Sequence, residues 1–179
     1  MIVTTLRKIN AFLLELFFPW ACLSCKKPRT YFCMDCAQKL CGGGQVHHGT
    51  AHIKSIIACC HYEDLKKVIH YFKYYFDSDL RKPLGLIMKH QFEKRFKSDN
   101  IVLIPVPLHK KRLKYRSFNQ AELLAREVME PINALIRTKH TSPQAKLGRG
   151  ERLKNLTNAF ALRPGTDLRG KTAVLIDDV

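Results

Sequence analysis

Four cysteines near the start of the chain are spaced as two pairs, Cys22-x-x-Cys25 and Cys33-x-x-Cys36. Each pair can place two thiolates on one tight turn, and two such turns supply the four ligands of a tetrahedral zinc ion. Four thiolates leave no open coordination position, so the spacing predicts a structural zinc site rather than a catalytic one. Unliganded or redox-active cysteines are the alternative interpretation.

Two adjacent carboxylates, Asp177 and Asp178, follow the apolar run Ala173–Ile176. A short run of this kind, partly β-branched, is typical of a buried strand in a parallel sheet. Ligands of open α/β sheets bind just beyond the carboxyl ends of the strands, so the two acids are candidates for a ligand site. The structural alternative is a turn or a helix cap.

Basic residues are concentrated in two segments. The first follows the apolar run Ile101–Val106, leads into a predicted helix and contains Tyr115 among the cations Lys110, Lys111, Arg112, Lys114 and Arg116. Cations beside free backbone N–H groups at a helix start favour an anion site, although a solvated basic loop would show the same composition. The second segment, 137–154, contains Arg149, Arg152 and Lys154, lacks apolar periodicity and is predicted to be a mobile loop.

The composition is that of a basic globular protein. The chain has 179 residues, 46% of them hydrophobic, and a net charge of +16. This charge favours polyanionic partners such as nucleic acid, phosphorylated ligands or anionic membranes. No apolar run reaches the roughly 20 residues that span a bilayer, and Arg7 and Lys8 precede only a short one, so neither a membrane span nor a secretory signal is predicted. Seven cysteines with paired spacing favour a reducing, cytoplasmic location.

Strands and helices alternate along the remaining chain. Helices are predicted over 64–76, 80–96 and 119–129, and strands over 53–62, 101–106, 134–138 and 173–176. This alternation predicts an α/β fold with a mainly parallel sheet flanked by helices. The predicted organisation is a zinc module over 21–42, a glycine-rich linker over 43–52 and a main domain over 53–179.

The first twenty residues are predicted to form an amphipathic helix, because apolar side chains recur at helical spacing over Thr4–Phe18. Two interpretations are open. The helix packs on the main domain or the zinc module, or it lies on the inner face of the cytoplasmic membrane with Arg7 and Lys8 at the headgroups.

The order of motifs resembles a known family. It comprises the paired cysteines, Phe72-Lys73-Tyr74, Pro105-Val106-Pro107, Arg116-Ser-Phe-Asn-Gln120, Arg149-x-Glu-Arg152-x-x-Asn155 and Val174-Leu-Ile-Asp-Asp178. This order is similar to that of the ComF/GntX family, whose members combine a double zinc ribbon with a type I phosphoribosyltransferase-like domain. The family commonly has glycine where this chain has Ser117. Its signature continues after the acidic pair with a phosphate-binding turn, so the protein is expected to extend beyond Val179.

The resemblance implies a site for phosphoribosyl pyrophosphate (PRPP). Asp177 and Asp178 would hold its ribose, and the basic residues Lys73, Lys110, Lys111 and Arg112 would contact its pyrophosphate. Mg²⁺ would arrive with this ligand. No catalytic residue is assigned, and Arg149 and Arg152 are the candidates for steadying the charge of a leaving pyrophosphate.

Two functions from different classes are consistent with these motifs. In the first, the protein acts in natural transformation together with other DNA-uptake proteins. It binds single-stranded DNA in the cytoplasm and keeps the PRPP pocket. The candidate DNA contacts are Lys110, Lys111, Arg112, Lys114, Tyr115, Arg116, Arg149, Arg152 and Lys154. In the second, it is an active phosphoribosyltransferase that transfers the phosphoribosyl group from PRPP to a small acceptor. A structural adaptor between membrane and cytosolic partners is a third interpretation.

Overall fold

The computed structural model describes residues 20–75, 78–139, 141 and 148–178. The predicted amphipathic helix over Thr4–Phe18 lies outside these residues. Within them, no helix is long and apolar enough to cross a membrane.

The four-cysteine segment consists of a tight loop followed by a short helix, α1 (Met34–Leu40), and a 3₁₀ turn (Cys41–Gly43). Lys26 and Arg29 have φ values of 66° and 61°, which allow the chain to reverse twice within a few residues. The loop is closed by backbone hydrogen bonds, because the Cys22 N–H donates to the Lys27 carbonyl at 2.8 Å and the Lys26 N–H donates to the Cys22 carbonyl at 2.9 Å.

A β-hairpin follows, in place of the flexible linker predicted over 43–52. Its strands β1 (Gln45–His48) and β2 (Ser55–Ala58) are antiparallel. The six-residue connection is too short for the crossover that a parallel pair requires. A Cβ atom at Gly49 would lie 1.5 Å from the Ile53 carbonyl oxygen, so the turn needs glycine at this position.

The main domain contains the remaining helices and strands. The helices are α2 (Tyr62–Tyr74), α3 (Arg81–Arg95), α4 (Lys110–Arg116), α5 (Gln120–Val128) and α6 (Arg149–Leu156), with a 3₁₀ turn over Ser78–Leu80. The strands are β3 (Ile101–Pro105), β4 (Leu135–Arg137), β5 (Phe160–Leu162) and β6 (Thr172–Ile176).

The strands confirm an α/β fold with a small parallel sheet. β3 and β6 pair in parallel, with Ile101 opposite Thr172 and Pro105 opposite Ile176. β4 and β5 are antiparallel, as are β1 and β2. In the described part of the chain, the mainly parallel sheet of the prediction is therefore reduced to one parallel pair beside two antiparallel pairs.

The apolar stripes of the helices meet in one core. α2 buries Leu65, Val68 and Phe72, which recur at helical spacing, and α3 buries Leu84 and Ile87 beside them. The same cluster includes β3, β6 and the cysteines of the N-terminal segment. The core thus joins the four-cysteine segment to the parallel strand pair.

Two basic segments that were predicted as loops contain helices. Residues 110–116 form α4, and residues 149–156, inside the predicted mobile loop, form α6. Lysine and arginine are good helix formers, so a basic stretch without an apolar stripe can still be helical. The remaining predicted helices and strands occur within a few residues of their expected bounds.

Candidate functional site

The four predicted metal ligands converge on one point. The Sγ atoms of Cys22, Cys25, Cys33 and Cys36 all lie within 4.8 Å of one another. The distance from Cys22 Sγ to Cys36 Sγ is 3.8 Å, and that from Cys25 Sγ to Cys33 Sγ is 3.6 Å. A tetrahedral zinc ion with Zn–S bonds of about 2.3 Å sets its sulfur atoms about 3.8 Å apart. The geometry fits such an ion and excludes disulfides, whose S–S bonds are about 2.05 Å.

The environment shifts the pKa values of two of the four cysteines in opposite directions. The pKa of Cys22 is lowered, and that of Cys36 is raised to about 12, because a hydrogen bond with Ser24 that lowers it is outweighed by burial and by hydrogen bonds with the neighbouring thiols. Burial raises the pKa of Cys22, but hydrogen bonds from the backbone of Cys25 and Cys33 outweigh burial and lower this pKa to about 6. Lys27 Nζ lies 3.0 Å from Asp35 Oδ2, and this contact raises the pKa of Lys27. The negative charges of Cys33 and Cys25 raise the same pKa further. Cys41 lies outside the cluster, because its Sγ donates to the Ala37 carbonyl at 3.5 Å. This arrangement supports a metal-binding role for the two cysteine pairs.

The acidic pair lies at the carboxyl end of the parallel strands. Asp177 and Asp178 follow β6 directly, and the Val106 N–H at the end of β3 donates to the Ile176 carbonyl at 2.9 Å. Because both strands end at the same edge, the segment that leads from β3 into α4 begins beside the two acids. The predicted location of Asp177 and Asp178 at a strand end is therefore confirmed.

Lys73 is brought to the acidic pair from α2. Its Nζ lies 3.0 Å from Asp178 Oδ1, and the two side chains are 20% and 11% exposed. Asp177 is exposed to solvent. Partial desolvation by the surrounding protein and, second, the negative charge of Asp178 raise the pKa of Asp177 to about 6, and the positive charge of Lys73 opposes this rise. The pair therefore consists of one carboxylate neutralised by lysine and one that titrates near neutral pH.

α4 separates the predicted cations into two groups. Arg112 and Arg116, one helical turn apart, are half-buried, whereas Lys110, Lys111 and Lys114 are exposed. The family resemblance predicted that one pyrophosphate group would be contacted by Lys110, Lys111 and Arg112. Among the described contacts of these three residues, Arg112 alone turns inward, with its Nη2 3.4 Å from the Thr141 carbonyl oxygen. The lysines form an outward basic face.

Arg137 is a further candidate residue that the sequence motifs did not single out. It ends β4, donates through Nη2 to Thr141 Oγ1 and stacks over Phe160 at 5.1 Å. Burial and then the like charge of Arg112 lower its pKa, while Asp177 opposes them. Arg112, Arg137 and Asp177 are thus electrostatic neighbours. The available signal was a cation inside the short predicted strand 134–138, but nothing in the sequence pairs it with Arg112.

Two buried donors in this region have no hydrogen-bond acceptor among the described residues. They are Arg137 Nε and Gln120 Nε2. Gln120 begins α5, accepts a hydrogen bond from Arg116 at 3.1 Å through Oε1 and is 2% exposed. Buried polar groups are nearly always paired, so each of these two donors is available to an acceptor such as a water molecule or an anion.

The turn between α4 and α5 is fixed by local hydrogen bonds. Ser117 has a φ of 63°, and its N–H donates to the Leu113 carbonyl at 2.8 Å. Asn119 Nδ2 donates to the Val106 carbonyl at 3.1 Å, which holds the turn against the end of β3. The ring centroids of Phe118 and Phe72 lie 5.8 Å apart, so Phe118 packs against α2.

The remaining candidate residues lie on two helices. Tyr115 is 68% exposed on α4. Lys154 is exposed on α6, and the side chains of Arg149 and Arg152 on that helix lie outside the described part. Their predicted roles stay predictions.

A mostly apolar cavity of about 220 Å³ reaches the acidic pair. It is lined by side chains of α2 and α3, by Cys59 and Cys60 after β2, and by both acids. A small apolar group could therefore approach a ligand held by Asp177 and Asp178.

The chain is similar over most of its length to two bacterial competence proteins. It is 25% identical to Competence protein ComFC of Bacillus subtilis in an alignment 185 positions long, which covers 89% of this chain and 76% of that protein. It is 26% identical to Competence protein F of Haemophilus influenzae in an alignment 196 positions long, which covers 91% of this chain and 86% of that protein. Both similarities support its assignment to the ComF family.

These two similarities support the resemblance to the ComF family inferred from the motif order. No family model matches the chain, and no solved structure matches it. The type I phosphoribosyltransferase-like fold expected of a ComF protein therefore rests on the motifs and on the parallel β3–β6 pair.

Proposed function

We propose that this ComF-type protein acts in competence, where it binds single-stranded DNA and holds a phosphorylated ribose ligand of the PRPP type. The names of the two relatives support the competence role. The observation that carries the ligand proposal is that Arg112 and Arg137 both donate to Thr141, and that the charge of Asp177, at the carboxyl end of β6, acts on Arg137. Carboxylates and guanidinium groups at one strand edge suit a ligand that has both hydroxyls and phosphates.

Each part of the site has a distinct role in this proposal. Asp177 and Asp178 accept hydrogen bonds from the ribose hydroxyls, and Lys73 holds Asp178 in place. Arg112 and Arg137 donate to the pyrophosphate, and the unpaired Arg137 Nε supplies a donor to it. Mg²⁺ accompanies this ligand and is coordinated mainly by pyrophosphate oxygens and water.

The exposed lysines of α4 are assigned to the DNA backbone. Lys110, Lys111 and Lys114 have no carboxylate within α4 to neutralise them, and the whole chain carries a net charge of +16. Lysine binds phosphate as a mobile point charge, which suits sequence-independent contact with single strands. In this role the protein works in the cytoplasm with other DNA-uptake proteins.

The test of the ligand site is calorimetric titration with PRPP and Mg²⁺. Arg137→Gln should weaken binding by at least about tenfold, because a hydrogen bond to a charged group contributes about 1.5–3 kcal/mol. Arg163→Gln is the matched control, since Arg163 is exposed and donates to the Asn133 carbonyl away from the acids. Equal weakening by both substitutions would remove Arg137 from the site.

The test of DNA binding is its salt dependence. Lys110→Ala, Lys111→Ala and Lys114→Ala together should weaken binding to single strands and lower the slope of log K against log salt by roughly 0.7 per lost contact. The control removes three charges elsewhere, at the exposed residues Lys94, Lys97 and Lys171. If the control flattens the slope as much as the α4 variant, the contact is non-specific and α4 is not the DNA site.

The cavity beside the acids favours a second candidate, a phosphoribosyltransferase with a small apolar acceptor. In this function the acceptor would occupy the cavity and attack C1′ of the bound ribose as pyrophosphate leaves. PRPP-dependent pyrophosphate release in the presence of candidate bases and amines tests it. PRPP binding without DNA binding would favour this candidate, and DNA binding without pyrophosphate release favours the first proposal.

A further inference from the structure

α2 carries a second face that its role in the core does not explain. Leu65, Val68 and Phe72 occupy the buried stripe. The opposite side of a helix is normally polar. Here the end of the helix and the residue after it instead present exposed aromatic rings: Tyr74 is 47% exposed and Tyr75 is 61% exposed.

These rings are part of a continuous series of aromatic contacts. Tyr71 stacks on Tyr75 with ring centroids 4.4 Å apart, and His70 lies 4.8 Å from Tyr74 and 6.2 Å from Tyr75. Trp20 and Tyr31, beside the four cysteines, extend this series. We call all six residues together the aromatic row, which in order of contact contains Trp20, Tyr31, Tyr71, Tyr75, His70 and Tyr74.

The aromatic row connects the four-cysteine segment with the basic helix. Towards the cysteines, Tyr31 lies 5.0 Å from Tyr71, and Trp20 stacks on Tyr31 at 6.2 Å. Towards α4, the Arg116 guanidinium lies over the Tyr74 ring at 5.3 Å. A chain molecule that follows the row would therefore pass from the metal-binding segment to the cations of α4.

We propose that the aromatic row is a stacking surface for the bases of single-stranded DNA. The inference rests on the proposed function, since it specifies where the bases of the bound strand lie. Every base has a π-face, so stacking on tyrosine, histidine and tryptophan binds single strands without reading their sequence. Tyr75 contacts Tyr71 yet keeps most of its surface open, which leaves room for a base to stack on it.

The charges beside the row favour a nucleic acid strand over a neutral protein partner. At one end, α4 contributes Arg116 and its exposed lysines, without an acidic residue on that helix. At the other end, Arg29 and Asp79 line a groove beside Trp20 and Tyr31, so opposite charges are both present there. The strand would be held by its phosphates at α4 and by its bases along α2 and at Trp20.

The experiment compares two labelled oligomers of about 20 units, oligo-dT and an abasic strand with the same backbone charge. Fluorescence anisotropy with the full chain should show wild-type protein binding oligo-dT at least about tenfold more tightly than the abasic strand. Tyr74→Leu with Tyr75→Leu should abolish most of this difference and leave the salt slope unchanged. Tyr62→Leu is the matched control, because Tyr62 is 49% exposed at the other end of the same helix.

A second readout uses the single tryptophan of the chain, Trp20. Stacking of a base on Trp20 should quench its fluorescence when oligo-dT binds, and the abasic strand should not quench it. This measurement needs no substitution, so it is independent of any effect on folding.

The outcomes separate this inference from the proposed function. If wild-type protein binds neither strand, the proposed DNA-binding function fails. If it binds both strands equally with an ordinary salt slope, the function stands and the stacking surface is wrong. Retention of the base preference by the Tyr74/Tyr75 variant, without quenching of Trp20, would also overturn the inference and would assign the row to contact with another protein surface.

Discussion

Ser117 occupies a backbone conformation that suits glycine. Its φ of 63° ends α4 in the left-handed region, where a residue with a Cβ atom pays about 1–2 kcal/mol. The ComF resemblance leads one to expect glycine here, and the structure shows that serine adopts the same backbone angle. The turn is held by Asn119 and by the Ser117 N–H, so the conformation is set by its surroundings rather than by the residue itself.

Ser117→Gly should therefore stabilise the protein. The gain should be about 0.5–1 kcal/mol, because relief of the left-handed strain is partly offset by the larger backbone entropy of glycine in the unfolded chain. Urea unfolding measures it as a higher midpoint. Ser98→Gly, in an exposed loop without a positive φ, should give no gain. A midpoint for Ser117→Gly at or below that of wild type would contradict the strain argument.

The acidic pair gives the site a pH dependence that belongs to Asp177. Its folded pKa of about 6 lies above the ordinary value of 3.8, so the folded state holds this proton more tightly than the unfolded chain does. The contribution of Asp177 to stability is therefore present at pH 4 and is lost as the pH rises through 6. The groups that face it are Asp178, Lys73 and Arg137.

Asp177→Asn should remove this dependence. The free energy of unfolding of the wild type, relative to that of the variant, should fall between pH 4 and pH 7, which urea titrations at several pH values measure. PRPP binding by the wild type should become tighter as the pH rises from 4 to 7, because a protonated Asp177 cannot accept hydrogen bonds from ribose hydroxyls as a carboxylate does. Parallel stability curves for the two proteins would show that Asp177 titrates as in the unfolded chain.

At the scale of elements, sequence patterns predicted the groups that are close in sequence and missed those that meet through topology. The cysteine pairs and the acids after β6 follow from spacing and from one strand. Arg137 lies 25 residues after Arg112 and 40 before Asp177, and only the folded arrangement of β4, α4 and β6 brings the three together. α4 was missed because a short helix without an apolar stripe has no periodic signal.

The direction of short strands was also beyond the sequence. β1, β4 and β5 have three or four residues each, and such runs carry no information about parallel or antiparallel pairing. The direction of pairing is set by the connection between the strands. The turn between β1 and β2 needs glycine at position 49 because the backbone passes close to Ile53 there, but glycine is also typical of a flexible linker. The composition of a linker and that of a hairpin turn are therefore easily confused.

α3 is coupled to the four-cysteine segment through Gln91. This side chain is 2% exposed, donates to the Cys41 carbonyl and accepts from Arg95. Gln91→Leu should lower the free energy of unfolding by about 1–3 kcal/mol, because the buried Cys41 carbonyl loses its donor. Gln38→Leu, on the exposed side of α1, is the control. Thermal unfolding measures both, and equal effects would show that the Gln91 contact is not specifically stabilising.

At the scale of the whole molecule, the four-cysteine segment and the residues beside the acidic pair share one core. Cys22, Cys33 and Cys36 belong to the same buried cluster as Phe72 of α2 and Ile176 of β6. Phe72 and Ile176 immediately precede Lys73 and Asp177. A change in the four-cysteine segment should therefore reach the acidic pair through packed side chains rather than remain local.

Removal of the metal should consequently destabilise the entire protein. Chelation should lower the melting temperature by at least about 10 °C, because in a domain of this size a loss of about 3–5 kcal/mol in the free energy of unfolding produces a shift of that order. It should also weaken PRPP binding. Cys25→Ser should abolish the binding of one zinc per chain, whereas Cys41→Ser should retain it, since Cys41 lies outside the cluster. Calorimetry and metal analysis measure these effects. A chelated protein that melts in two separate transitions, with PRPP binding unchanged, would show that the segment folds independently of the main domain.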